Sequence, residues 1–460
     1  MNSATVLLTS LLFVSSLNLI PLKVESKIIE VPNDYSTIQL AINRATLGDT
    51  IKVASGIYPE RIEITKPLRL IGEGPDSTEI VGSGTAVLVK ADNVEISGFT
   101  VRNGTYGIFL SYCSGAMLRN NVMSGNKWNF GIWGDISSHF VHDIDASNIV
   151  DGKPICFWVN ESGKHVPRNA GYVALVNSAN ITVEDLSLTS NEQGVLLVNT
   201  NSSFVRNVTM LGNDKGISLR WSSNNLVLLN NLISINWQAF HLLSSHNNTL
   251  TENTIRNGNY GILAENSNEN SIYHNNFLNN KEQQYQLNSV NKWDNGREGN
   301  YWSDYKGEDT DGDGIGDTLL PHLEVDYHPL VRVFDEIPPI ADAGGNQTVL
   351  RDILVSLSAS NSSDNIDIVS YLWDFGDGSN GTGITTSHAF TTTGVYKVTL
   401  TVIDASGNIA TDVIAVTVVD PPVVLPWWLL LAVSGTVAVI LALAFWLWKS
   451  SETKRTNDKR

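Results

Sequence analysis

The feature that most limits what this chain can become is a repeat. Apolar residues five apart recur as Ile96/Val101, Leu118/Met123, Val183/Leu188, Val205/Met210, Leu228/Ile233, Leu250/Ile255 and Ile272/Phe277. Within each contiguous stretch the step is roughly 22 residues, a period that belongs to solenoids. A second mark keeps the same step, with Gly107, Gly131, Gly194, Gly216, Ala239 and Gly261 each preceding an apolar residue. Two or three short strands fit in one period, and helical spacing is absent. The unit therefore reads strand, turn rich in Asn and Gly, strand, which is one coil of a parallel β-helix.

Each such coil exposes backbone groups that only the next coil can satisfy, so the stack must be continuous. Inward positions call for Val, Ile, Leu, Met or Phe, and corners call for residues that tolerate left-handed backbone, Gly and Asn first. Asn121, Asn231, Asn253 and Asn275 share one phase and predict a stacked amide ladder, interrupted where Leu186 and Val208 take the position. Counting the start of the rod, the repeat predicts roughly ten coils between about Ile29 and about Tyr301. The register fails between Gly134 and Tyr172, where "VDGKPI" and "NESGKH" are turn-like and flanked by β-prone residues. This segment reads as an arm near residues 150–170 that projects from the wall. Phe157 and Trp158 are either its exposed contacts or the place where it packs back.

The two ends carry different signals. Ala4–Ile20 is an apolar run of signal-peptide length, which sets residues 1–26 apart as a signal peptide. Leu425–Trp448 carries no charge, and at about 1.5 Å per residue it spans a hydrocarbon core of about 30 Å. Trp427 and Trp428 sit at one end of that stretch, Trp446 and Trp448 at the other, and the basic tail 449–460 follows. The expectation is a single-pass membrane anchor with a cytoplasmic C-terminus and an extracellular ectodomain. N-x-S/T sequons at Asn103, Asn160, Asn180, Asn201, Asn207, Asn247, Asn346, Asn361 and Asn380 agree with that placement. A formal net charge of -17 argues against a nucleic-acid partner. Two cysteines, Cys113 and Cys156, are too few for a disulfide framework; they pair if close in the fold and otherwise pack as small hydrophobes.

The opening "VPNDYSTIQLAINRATLGDTIKVASGIYPERIEITKPLRLIGEGPDSTEIVG" resembles the N-terminal cap of secreted right-handed β-helix proteins. Together with the repeats, "VDGKPICFWVN" and "NKWDNGREGNYWSDYKGEDTDGDGIGD", it resembles archaeal cell-surface proteins with a NosD-type β-helix. That type is named after a copper-associated accessory protein and overlaps the carbohydrate-binding and sugar-hydrolase class of β-helices. The resemblance runs from Ile29 to Val333 within a β-helical region 27–333. After a linker at 334–340, residues 341–420 resemble a polycystic-kidney-disease (PKD) domain through "PPIADAGGNQTV", "SYLWDFGDG", "SHAF" and "GVYKVTLTVIDASGNIATD". Tyr396, Val398, Leu400 and Val402 alternate as a half-buried strand does, "DASGN" makes a hairpin turn, and Trp373 belongs in the core. The expected fold class is all-β: a right-handed parallel β-helix, an immunoglobulin-like β-sandwich and a C-terminal transmembrane helix. The resemblance implies that the sandwich serves as a spacer or contact module.

Chemistry is sparse in the sequence. Asp135, Asp143, Asp145 and Asp151 cluster with His139 and His142, and two of the carboxylates suit an acid/base pair if the fold brings them together. No nucleophile elbow appears. Copper is implied by the NosD resemblance, with Cys113, Met117, Met123 and Met210 as soft donors and His139, His142, His241, His246 and His274 as imidazole donors. Met123 and Met210 occupy inward phases, so they read as core residues first. The stretch "GEDTDGDGIGDTLL" (residues 307–320) is more pointed. Counting from Asp309 it runs D-x-D-x-D-G-x-x-D, so Asp309, Asp311, Asp313 and Asp317 fall at positions 1, 3, 5 and 9. Gly314 takes the sharp-turn position of an EF-hand-like calcium loop, and the Ile315 carbonyl suits position 7. Leu320 stands where a bidentate Glu is expected, leaving Glu308, Glu324 or Asp326 to complete the shell. The expectation is a structural calcium ion that pins the C-terminal cap. Rod, spacer and anchor together indicate a binding or structural protein whose partner is an extracellular glycan or a cell-surface protein. A copper-binding accessory protein and a polysaccharide lyase or hydrolase are the alternatives.

Overall fold

The computed structural model describes residues 26–422 and 438–452. Two compact units form, one ending at Phe334 and one beginning at Asp335. The N-terminal apolar run lies outside the described residues, as does most of the stretch Leu425–Trp448. Residues 438–452 are helical, and among the described residues no helix is long and apolar enough to cross a membrane.

The first unit is a β-solenoid in two segments. In the opening segment a coil has three short strands, as in Glu95–Ser97, Thr100–Arg102 and Tyr106–Ser111. Each pairs in parallel with its equivalents before and after: Ile96 lies between Leu70 and Leu118, Val101 between Ile80 and Met123, and Ile108 between Val87 and Phe130. A short helix, Ile38–Arg44, covers the start and buries Ile38, Ala41 and Ile42; the Thr37 side chain accepts from the Leu40 N–H as its N-cap. From Tyr172 onward the coils form a 9-stranded sheet and the continuation of a 12-stranded sheet that runs through both segments.

The junction between the segments differs from the projecting arm that the sequence suggested. Lys153–Val159 turns back antiparallel on Ile149–Val150 and then pairs in parallel with Tyr172–Val176. It is part of the wall, because its apolar side chains alternate between two cores: Ile155 and Phe157 enter the first, Cys156 the second. Tyr172–Val176 does the same, sending Tyr172, Ala174 and Val176 one way and Val173 and Leu175 the other. At about 1.5–3 kcal/mol per fully buried large aliphatic side chain, a strand apolar on both faces is far more stable in this partition than in solvent. Cys113 and Cys156 lie in different cores as free thiols.

Corners in the second segment follow a strict column. Asp185, Asn207, Leu229, Glu252 and His274 all have φ between 50° and 57°, and Asn177, Asn199, Trp221, Ser244, Asn266 and Asn288 form a second such series. Asn and Asp tolerate left-handed backbone, but Leu229, Glu252 and Trp221 do not favour it, so something must hold it there. An inward Asn follows each corner of the first series from Leu229 on. Asn253 Nδ2 donates to the Thr251 carbonyl (2.9 Å), to the Val227 carbonyl of the previous coil (2.9 Å) and to Asn275 Oδ1 of the next (2.9 Å). The ladder runs Asn230, Asn253, Asn275, Asn300, starts by accepting from the Val208 N–H, and is fully buried to within 1%.

The sequence reading is one residue late in one coil. Val227 and Leu232 point inward and are fully buried, whereas Leu228 and Ile233 are only half-buried. Asn230 rather than Asn231 therefore enters the ladder, and Asn121 belongs to a separate pair with Asn148 (2.9 Å) in the first segment. The glycine mark has a steric cause: a Cβ at Gly216 would lie 2.4 Å from the Ala239 carbonyl oxygen of the next coil.

The second unit is a β-sandwich of a 5-stranded and a 2-stranded sheet. Trp373, Phe390, Val398, Leu400 and Val402 fill its core, and the Asp404 carboxylate closes the "DASGN" hairpin by accepting from the Ser406 and Asn408 N–H groups (2.9 and 2.8 Å).

Replacing Asn253 with Ala leaves the Asn230 N–H without its acceptor in the interior and removes the amide bond to the Val227 carbonyl. We expect a loss on the order of 3 kcal/mol in denaturant unfolding, against under about 1 kcal/mol for Asn231→Ala. Equal losses would mean that the ladder does not run through position 253.

Candidate functional site

The cap of the solenoid brings the acidic loop to a defined geometry. Asp309 accepts from the Gly312 and Gly314 N–H groups (2.7 and 2.9 Å), and Asp317 accepts from the Thr310 N–H (2.7 Å). The Thr310 bonds hold the Asp317 carboxyl below its ordinary range. Gly312 and Gly314 take φ of 82° and 93°, which folds the loop back on itself. Carboxylate oxygens of Asp309, Asp311 and Asp317 come within 4.8 Å of one another. Asp313 stands outside that group, its carboxylate accepting from the Ile315 N–H (2.9 Å), and Ile315 itself bridges to Leu330. Three clustered carboxylates with oxygen donors only fit a hard cation such as calcium.

Asp326 has another task than completing that shell. It is fully buried and takes the place of the next ladder residue, accepting from the Asn300 N–H (2.8 Å), Trp302 Nε1 (2.8 Å) and the His328 N–H (3.0 Å). Burial raises its pKa. A Cβ at Gly299 would sit 2.0 Å from this carboxylate, so glycine is needed there.

The densest polar constellation was not evident from the sequence. Where the outer face of the second segment meets the end of the first, Glu192, Asp214, Lys215 and Arg220 are each at least 96% buried. Lys215 Nζ hydrogen-bonds Glu192, lies 3.6 Å from Asp214 and stands 4.8 Å from the Trp133 ring centroid. Arg220 donates to the Gly134 carbonyl (3.0 Å) and covers the same ring. Burial raises the Glu192 pKa and lowers that of Arg220. Beside them Ser218 Oγ is 3.5 Å from His241 Nδ1, and His241 Nε2 is 3.2 Å from Glu265. That is the order of a hydrolytic triad, yet Ser218 is 0% exposed and offers no approach to a carbonyl. The network ties the two segments together. Its members come from four successive coils and from the strand Trp128–Trp133 of the first segment with the Gly134 that follows it, so no local motif announces it.

The remaining sequence candidates disperse. Asp143 and Asp145 sit on either side of Arg119 at 2.5 and 3.2 Å, both exposed, while Asp151 occupies the turn before Lys153–Val159 and Asp135 is exposed near His139. His142 is buried, accepts from the Ala116 N–H and has its pKa pushed down to about 4 by burial. Met123 lies in the first core and Met210 in the second; Met117 is exposed, and burial pushes the Cys113 thiol up to about 11. His246 accepts from the Asn268 N–H, and His274 stacks on Phe334 while bonding Glu298 (2.7 Å). All the sequon asparagines are exposed.

A second carboxylate group was missed. In the sandwich unit Asp335, Asp364 and Asp404 converge within 4.8 Å, with Asp335 Oδ2 and Asp364 Oδ1 buried and unpartnered. Burial, then the neighbouring Asp364 and Asp404, raise the Asp335 pKa. Such a trio suits a hard cation, and only the fold brings residues this far apart in sequence together.

Residues 159–307 match the family described as "Periplasmic copper-binding protein (NosD)", and residues 336–418 match the PKD domain family. The chain carries a NosD-like β-helix region and a PKD domain. A cell surface glycoprotein of Methanothermus fervidus is 33% identical over 120 residues, 25% of this chain and 20% of that protein. The "Probable ABC transporter binding protein NosD" of Stutzerimonas stutzeri is 34% identical over 110 residues, 22% of this chain and 25% of its own length. This chain thus spans a quarter or less of the length of these relatives. The PKD1 domain of the Vibrio cholerae metalloprotease PrtV is 35% identical and is covered in full (100%) by 18% of this chain, with a TM-score of 0.16.

Two measurements probe the junction. Glu192→Gln or Lys215→Met alone strands a buried charge and is expected to cost about 3–5 kcal/mol, whereas the double variant costs less than the sum; strict additivity would deny the coupling. Burial also pushes His241 down to about 4, as it does His142. Both stay neutral in the fold while the unfolded chain takes up protons below about 6.5, so stability is full above that pH and drains as pH falls towards 4. Unfolding between pH 6.5 and 5 should show this slope, and H142Q/H241Q should flatten it.

Proposed function

We propose that the chain is a membrane-anchored extracellular binding protein whose β-helix presents a surface to a glycan or a cell-surface protein. The observation that carries this reading is the wall itself: a 12-stranded sheet with Tyr285 and Leu287 49% and 43% exposed on its outer side. A long hydrogen-bonded face of this kind is rigid, so little ordering is needed to bind an extended partner. The similarity to a cell surface glycoprotein supports an extracellular setting, and the PKD domain, between the β-helix and the apolar C-terminal stretch in sequence, supports a spacer role. Retention of the purified chain on the native cell envelope or on a glycan array tests the reading. Release of oligosaccharides or unsaturated sugars from pectin, alginate or the envelope would overturn it in favour of a lyase or hydrolase.

Copper enters through the NosD family description. Stoichiometric copper binding, lost on changing Met117 or His246, would give that reading precedence. The acidic loop is assigned a calcium ion with a structural role, held by Asp309, Asp311 and Asp317, with Asp313 and the Ile315 carbonyl adjusting to it. Chelator is expected to lower the melting temperature by several degrees, roughly 1–2 kcal/mol of stability, and calcium to restore it. Asp311→Asn should remove the response of the cap, and Asp364→Asn that of the sandwich. A melt that ignores chelator would leave both groups metal-free.

A further inference from the structure

We propose that the cap carries a site for a neutral oligosaccharide seated across Tyr327; this rests on the surface-binding reading and gives it a place and a ligand class. Two hollows of about 560 and 550 Å³ open on the last coils, within the usual size of small-molecule sites. Tyr327 lines both and is 58% exposed. Its backbone is fixed on either side. Before it, the buried Asp326 carboxylate is held by the Asn300 N–H and Trp302 Nε1, both at 2.8 Å. After it, the His328 N–H donates to Asp326 (3.0 Å), and the Gly299 N–H donates to the His328 carbonyl (2.8 Å). The ring therefore projects from a rigid support, and engaging it costs little conformational entropy.

An exposed tyrosine presents flat apolar faces that suit the C–H face of a sugar ring, with a hydroxyl at the edge. Tyr273, Asp294 and Asn295 line the first hollow; Arg297, Glu298 and His328 line the second. Lys292 accompanies Asp294 in the first hollow, while Arg297 faces Glu298, Asp313 and Asp317 in the second, so neither hollow favours a polyanionic chain. Groups that donate beside groups that accept match hydroxyls, which do both. Two hollows that share Tyr327 as a common wall give room for more than one sugar unit. Asp313, Ile315 and Asp317 of the acidic loop wall the second hollow, so a cation held by the loop would shape the site.

The test is calorimetric titration of the full-length chain, with calcium present, using cellohexaose, mannohexaose and maltohexaose, and hexagalacturonate as the charged comparison. The expected result is that a neutral hexasaccharide binds, Tyr327→Ala weakens it about tenfold or more, and Tyr327→Phe stays within about twofold. Phe204→Ala, an exposed aromatic on the 9-stranded sheet, should leave it unchanged. A neutral hexasaccharide that binds Tyr327→Ala as well as the native chain overturns the site and leaves the surface-binding reading standing. Binding of hexagalacturonate alone overturns the neutral class. Binding of none of the four sugars overturns the oligosaccharide site, while retention on the cell envelope then decides the broader reading.

Discussion

A parallel coil cannot satisfy its own backbone. Every N–H and C=O along its strands points up or down the stack, and the partner is a residue one coil away. In this chain that separation is 22 or 23 residues at most steps of the second segment, as in Val208 to Asn230 and Asn230 to Asn253. Everything else in the β-helix is a way of meeting that demand: apolar side chains turned inward, glycine where the next carbonyl comes close, and corners that return the chain to the same place. Because pairing is non-local throughout, stability is shared between neighbouring coils and depends on their staying in phase.

The corners show how the demand is met at the cost of local strain. Residues such as Leu229 and Glu252 adopt left-handed backbone that their own side chains do not favour. The following asparagine offsets this by bonding within the corner and across two coils at once, using both ends of one amide. Removing a methylene from the core costs packing; removing one of these amides leaves orphaned polar groups on neighbouring coils. The junction between segments rests on the same logic in charged form, where Glu192 and Lys215 are tolerable only as a pair.

Much of this was legible in the sequence. The period, the inward phase at Ile96, Val205 or Leu250, and the all-β class follow from spacing alone, and the PKD strand pattern around Val398 and Leu400 follows from alternation. The misplaced coil has a plain cause. "NNLVLLNNLI" offers doubled asparagines and a continuous apolar run, so Leu228/Ile233 and Val227/Leu232 fit the spacing equally, and only coil-to-coil hydrogen bonding selects between them. The strand Lys153–Val159 was unreadable for a related reason: apolar residues on both faces signal burial without saying between what. The acidic loop was legible as a loop of carboxylates, while the grouping of Asp335, Asp364 and Asp404, and of Glu192 with Lys215, exists only once distant coils and strands are brought together.

Asp326 has a consequence beyond its own hydrogen bonds. Along the amide ladder each side chain hands a donor forward to the next oxygen, so the column has a direction, much as a growing polymer has a reactive end. A carboxylate at the last position receives and has nothing to pass on. The ladder is thereby terminated: Asn300 passes the last amide donor to Asp326, and the carboxylate offers no amide beyond it. The same carboxylate that finishes the interior also marks where the column of amides stops.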